Sequence, residues 1–379
     1  MNIYRLGNIK NNKSILKELG VQGGGVSIIS KKMDLHIFQL KNIKTPALNI
    51  LKQDVLSIGG ELAVPSGVIT CAKDRYDAIL IVNTKQIEIL SQKELVQPFG
   101  LKKLAQELAN YIKDISYPIK IMGIINANED SFYSGSRFIS QNAIDKCKQM
   151  IEEGANIIDI GGVSTKPNAD IVSIDEELAR IKPICDMIKS QKLYEKTIFS
   201  IDSYNPKVIE YALKSGFEII NDIMGAKDKR VVELAIKYSA KLSIMHIQGT
   251  PQTMQDNPYY DDVVVEVSQY FKDKISICED MGLSRENIII DVGIGFGKRL
   301  EDNIALIKNL KEFKKFGCEI LIGASRKSMI DKITPTKVED RLSGTLAIHL
   351  KALDNGANII RCHDVLEHYR AIKVYQELV

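Results

Sequence analysis

From Pro118 onward the chain repeats one pattern: a short run rich in Ile and Val, then a longer charged segment whose apolar residues recur with helical period. A run that is apolar at every position predicts a strand buried on both faces, and the segment behind it predicts a covering helix. Eight such runs are present, at 119–125, 156–161, 197–202, 218–222, 241–246, 288–291, 319–323 and 358–363. Among the helices expected between them are 141–153, 206–215, 261–281 and 341–353. Eight successive βα units close into a (β/α)8 TIM barrel more readily than they form an open sheet, so the fold class is α/β. An internal echo agrees: GANIID at 154–159 returns as GANIIR at 356–361 and more loosely as GFEIIN at 216–221. In each copy Gly ends a helix, a buried strand follows, and the strand finishes on a different polar residue.

The first 117 residues lack this rhythm. Strands are expected at 35–40 and 78–82, a helix at 45–58 with Thr45 as N-cap and Pro46 at its first position, and a connecting helix at 101–112. These predict a small α/β N-terminal domain over 1–117, without a chemical motif, ahead of a barrel over 118–379.

Composition narrows the partners. Fifty-one basic residues against 48 acidic ones leave a formal charge of +3, and no Lys/Arg cluster stands out, so no nucleic-acid partner is expected. No stretch approaches the roughly 18 apolar residues of a membrane span, and the N-terminus has no apolar leader, so no membrane partner and a cytoplasmic location are expected. The six cysteines have no metal-ligand spacing and read as reduced core thiols.

Polar residues at the C-terminal ends of barrel strands converge on one mouth. Here they are Asn126, Asp159, Asp202, Asn221 with Asp222, Met245 with His246, Asp291, the 325–328 stretch, and Arg361 with His363 and Asp364. Any one of them is equally well a helix cap or a satisfied core residue, but the set together is not. Asp202, Asn221 and Asp291 suit a heterocycle rich in N–H donors. Lys327, Arg361 and His363 suit a phosphorylated group, with Asn126 able to share a Mg2+ with it.

The blocks that carry these residues are MGIINANEDSF (122–132), DIGGVSTKP (159–167), SIDSY (200–204), INDIMG (220–225), HIQGTPQTMQDNP (246–258), DVGIGFGK (291–298), GASRKS (323–328), GTLA (344–347) and RCHD (361–364). In content and order the set resembles the dihydropteroate synthase family of pterin-binding barrels. The resemblance implies transfer of a pterin methylene carbon from pyrophosphate to p-aminobenzoate. It implies a pterin held by Asp202, Asn221, Asp291 and Lys327, with Met245 and Gly323 beside it. Asn126, Arg361 and His363 are implied for the pyrophosphate, Asn126 through Mg2+. Thr165, Pro167, Phe296 and Ser328 are implied for p-aminobenzoate, with Phe132 closing over the site. Catalysis falls to Lys327, Arg361, His363 and Asp202, and the family's usual homodimer and its standing as a sulfonamide target are implied. Asn128, Glu129, Ser134, Val163, Lys166 and Val292 depart from the family pattern, which touches the loops rather than the pocket floor. The rival readings are a barrel that passes a methyl group from a folate to a corrinoid, and a non-catalytic pterin-binding paralogue.

Overall fold

In the computed structural model, the described residues are 3, 4, 6, 12–113, 115–127, 136–163 and 172–378. They divide into two units, one up to Ile115 and the other over Ser116–Leu378.

In the N-terminal unit α1 (Asn12–Glu18) and α2 (Gly23–Met33) precede β1 (Leu35–Lys44), α3 (Thr45–Ser57), β2 (Glu61–Ala63), β3 (Arg75–Asn83), α4 (Thr84–Lys93) and α5 (Leu101–Tyr111). The strands form an antiparallel sheet in the order β1-β3-β2. Its inner face, with Leu62, Leu80 and Val82, packs on Leu48, Leu51 and Val55 of α3 and on Ile87 and Leu90 of α4. Asn83 and Gln86 close a capping box at the start of α4, which stops β3 from running on. The short β2 was not expected from the sequence. Thr45 is the first residue of α3 rather than its cap: β1 runs on to Lys44, and the Thr45 hydroxyl donates to the Lys73 carbonyl at 2.5 Å.

The second unit is a closed barrel of eight parallel strands: β4 (Lys120–Asn126), β5 (Ile157–Gly161), β6 (Ile198–Asp202), β7 (Ile219–Asp222), β8 (Lys241–Met245), β9 (Ile288–Asp291), β10 (Glu319–Ile322) and β11 (Ile359–Cys362). The ring closes where β11 pairs with β4. Around it run α6 (Ser136–Glu152), α7 (Ile174–Ser190), α8 (Pro206–Lys214), α9 (Lys229–Lys237), α10 (Val263–Asp280), α11 (Leu300–Lys308), α12 (Ser328–Ile333), α13 (Leu342–Asp354) and α14 (Val365–Glu377). Gly154, Gly216 and Gly356, the three echoed glycines, have φ of +100°, +98° and +104°. A side chain would be strained there, so Gly ends each helix and lets the chain turn into the next strand.

Because successive side chains alternate between the inside and outside of the barrel, each apolar run feeds two cores. The outer one lies between strands and helices. The inner one stacks Met122, Ile157, Ile219, Ile289, Leu321 and Ile359. Below that layer the buried Glu319 carboxylate accepts from Lys120 at 2.6 Å, Lys241 at 2.5 Å and Asn358 at 3.1 Å. This end is a satisfied ionic plug, so chemistry is left to the opposite mouth. Five cysteines are buried, but Cys71 is exposed, because it sits on a surface turn with φ +53° and not in the core expected for it. Among the described residues, no helix is long and apolar enough to cross a membrane.

Candidate active site

The inner positions at the strand ends are polar, and their side chains meet. Arg361, on β11, donates from Nε to Asp159 Oδ2 at 2.6 Å and from Nη2 to Asp202 Oδ2 at 2.7 Å. Asn221, on β7, donates from Nδ2 to the same Asp159 oxygen at 3.0 Å. Asp159 Oδ1 and the hydroxyls of Ser200 and Ser243 are buried without a partner among the described residues. Register places Asp159 beside Ser200 and Gly161 beside Asp202, so these groups form a polar layer directly above the apolar inner core.

Charge and burial set the protonation of this layer. Burial pushes the Asp202 carboxyl up to about 7, against the pull of Arg361 and with help from Asp159. Burial also raises Asp291, whose Oδ1 accepts from the Gly293 amide at 2.8 Å. For Arg361 burial opposes the charge, but Asp159 and Asp202 outweigh it and hold the guanidinium above its usual range.

The loops after β9 and β10 bring two lysines. Lys327 Nζ donates to the Ile294 carbonyl and lies 4.2 Å from the centre of the Phe296 ring. Burial lowers it to about 8, with Asp291 opposing. Lys298 is 2% exposed, and its Nζ reaches His246 Nδ1 at 2.9 Å, His246 O at 3.1 Å and Phe296 O at 2.9 Å. Burial lowers Lys298 to about 7 and His246 to about 3.

Met245 is buried against Ile223, Ile247 and Met254, with Phe296 packed on this cluster. Gly323 follows β10, and a Cβ there would lie 3.7 Å from Arg361 Cβ. His363 follows β11, with Nδ1 2.9 Å from Ser325 Oγ. Ser328 is the exposed first residue of α12, and Asn126 is the exposed last residue of β4. Phe132, Thr165 and Pro167 lie outside the described residues, as do Asn128, Glu129, Ser134 and Lys166.

The barrel therefore gathers Asp202, Asn221, Asp291, Lys327 and Arg361 around one mouth, with Met245, Gly323, Phe296 and His363 beside them. The sequence reading left out three residues from its site. Asp159 stood among the strand ends but received no role, although it anchors both Arg361 and Asn221. His246 likewise stood among the strand ends without a role, and Lys298 stood inside one of the blocks, where only its burial distinguishes it from an ordinary loop residue. Among the described residues no cluster of three His, Cys, Asp or Glu could hold a metal by itself.

This geometry coincides with the match to known proteins. The profile of the pterin-binding enzymes matches residues 122–363. The chain belongs to the pterin-binding enzyme family. Within that family it is 41% identical to the bifunctional dihydropteroate synthase/dihydropteroate reductase of Helicobacter pylori, over 97% of this chain and 96% of that one. It is also 41% identical to the dihydropteroate synthase of Haemophilus influenzae, over 70% of this chain and 96% of the relative. The crystal structure of Yersinia pestis dihydropteroate synthase in a sulfonamide drug complex superposes with a TM-score of 0.64 at 34% identity, covering 70% of this chain and 95% of that one.

Proposed function

We propose that the barrel condenses 6-hydroxymethyl-7,8-dihydropterin pyrophosphate with p-aminobenzoate, giving 7,8-dihydropteroate and pyrophosphate. The observation that carries this reading is the interleaved layer of charge at the mouth: acids and an amide at 202, 221 and 291, with cations at 327 and 361. The pterin ring offers N–H groups to Asp202 and Asp291, whose buried carboxyls gain little from any ligand that leaves them unpaired. Phe296, braced by Lys298 and lying under Lys327, offers an aromatic face to p-aminobenzoate.

In the reaction the C–O bond to pyrophosphate breaks with its electron pair, the aniline nitrogen forms the C–N bond, and that nitrogen sheds one proton. Negative charge grows on the departing oxygens, so groups that meet it in the transition state raise the rate. Among the described residues Arg361 Nη1 has no protein partner, because Nε and Nη2 are taken by Asp159 and Asp202. Ser325 Oγ accepts from the His363 amide at 3.2 Å, and with its own proton directed at His363 Nδ1, 2.9 Å away, the imidazole proton is on Nε2. Burial lowers His363 to about 4, so at neutral pH it acts as a neutral donor to phosphate oxygen. The exposed Asn126 oxygen fits one position of a Mg2+ that takes its other ligands from phosphate and water, and the ion would supply further charge neutralisation. Release of pyrophosphate that depends on p-aminobenzoate tests the reading, and its absence with both substrates present refutes it.

A second activity has its own support. The relative named as a synthase alone aligns with 70% of this chain, whereas the one named synthase/reductase aligns with 97%, which takes in the N-terminal unit. We propose that the full chain also reduces dihydropteroate, adding hydride from a reduced nicotinamide or reduced flavin to the ring C=N bond and a proton to its nitrogen. Consumption of either donor, dependent on dihydropteroate and lost in a chain beginning at Ser116, is the expected result. A full-length chain that oxidises neither donor refutes it.

A further inference from the structure

The turn after β10 contains Arg326 at φ +54°, a left-handed conformation that costs a non-Gly residue energy unless its surroundings hold it. One helix does much of the holding. At its N-terminal boundary α13 has Arg341, whose Nη1 donates to Arg326 O at 3.1 Å. One turn on, Thr345 Oγ1 accepts from the Arg326 amide at 3.0 Å and donates to Arg341 O at 2.8 Å. One turn further, the buried His349 accepts from the Ala324 amide at Nε2, at 3.0 Å.

That last contact dictates a chain of proton positions. A backbone amide only donates, so His349 Nε2 is bare and its proton is on Nδ1, 2.8 Å from His368 Nε2. His368 Nε2 is then the acceptor, and its Nδ1 proton goes to the Asp364 carbonyl at 2.6 Å. The Asp364 carboxylate returns to the starting turn, taking Arg326 Nε at 3.0 Å and Nη2 at 2.5 Å. The ring is closed, and it fastens the turn that carries Ser325 to the turn that carries His363. An added proton on either imidazole sets two donors face to face, and burial lowers the basicity of both.

We propose that His349 and His368 are positioning residues for the pyrophosphate subsite: as a neutral two-imidazole relay they hold the strained 324–326 turn so that Ser325 and His363 meet the leaving group. This rests on the functional reading above. The His349→Phe variant fills the space without the relay, whereas His349→Gln retains an acceptor for the Ala324 amide. In the full chain with Mg2+, calorimetry should show inorganic pyrophosphate binding to His349→Phe about tenfold more weakly than to the wild type. The KM for pterin pyrophosphate should rise in step, the KM for p-aminobenzoate should not move, and His349→Gln should recover to within about twofold. Should His349→Phe fail to fold, His368→Leu removes the acceptor of the His349 Nδ1 proton, breaks the relay at its next link and is read the same way. In the wild type, 15N spectra of labelled histidine at neutral pH should place the protons of both His349 and His368 on Nδ1. Unchanged pyrophosphate binding in the Phe and Leu variants, a Gln variant no better than Phe, or an Nε2 proton on either histidine overturns the relay. A wild type that binds no pyrophosphate and releases none overturns the functional reading, and the relay's purpose with it.

Discussion

Removing the Arg361 charge tests the polar layer most directly, because that guanidinium is the counter-ion to two carboxylates in the barrel interior. Asp159 is fully buried and the Asp202 side chain is 10% exposed. Arg361→Met keeps much of the side-chain volume and leaves both acids without a positive partner. Breaking a buried pair by removing one member costs about 3–5 kcal/mol, since the remaining charge is desolvated and uncompensated. Asp202 can relieve part of this by taking a proton. Burial already pushes it up to about 7 with Arg361 in place, and without Arg361 the Asp159 charge raises it further. A carboxyl whose folded pKa lies above its unfolded value binds more protons in the native state, so stability is lost as pH rises through the folded pKa. The penalty of Arg361→Met should therefore be smallest in acid and should grow above neutrality, by up to about 1.4 kcal/mol per pH unit. Urea unfolding of wild type and variant at matched pH from acid to alkaline measures this. Adding Asp159→Asn to Arg361→Met should restore stability, because it removes one of the two stranded charges. A penalty under about 1 kcal/mol that is flat with pH, or a double variant less stable than the single one, refutes the reasoning.

Other parts of the site give separate outcomes. Lys298→Met removes the ammonium that holds His246 and the Phe296 carbonyl, and should raise the KM for p-aminobenzoate about tenfold while pterin binding changes little, as seen in steady-state kinetics. Asp291→Ala should weaken a pterin analogue by about 1–3 kcal/mol in calorimetry, because ring N–H groups lose their acceptor, and unchanged affinity would remove Asp291 from the pocket. Glu319→Gln strips the counter-charge from Lys120 and Lys241 at the opposite end, and should lower the unfolding midpoint by an amount equivalent to a few kcal/mol without altering kcat.

The barrel was legible in the sequence because its strands are apolar on both faces and its helices on one, a contrast that survives without any partner in view. The boundaries that moved did so for local reasons. The helix expected at 261–281 begins at Val263 because the Asp262 carboxylate caps the amides of Val264 and Val265. β2 escaped notice because three residues, exposed, buried, exposed, carry no pattern of their own and depend on pairing with β3. Asp202, Asn221, Asp291 and Arg361 stood out for the opposite reason, as polar residues closing runs of Ile where burial without a purpose is costly.

What the sequence could not reveal is which of those residues share a charge. Arg361 and Asp159 are 202 positions apart and Arg361 and Asp202 are 159 apart, so only closure of the barrel, which pairs β11 with β4 and β4 with β5, brings them within hydrogen-bond reach. The same holds for His349 and His368. Each sits on an outer helix, where a polar residue usually faces solvent, and each is 1% exposed because α13 and α14 pack together. Periodicity identifies which face of an element is buried but not what a buried polar atom touches. The residue types were therefore readable in advance, whereas the protonation states on which the chemistry depends arise only once strands distant in sequence become neighbours.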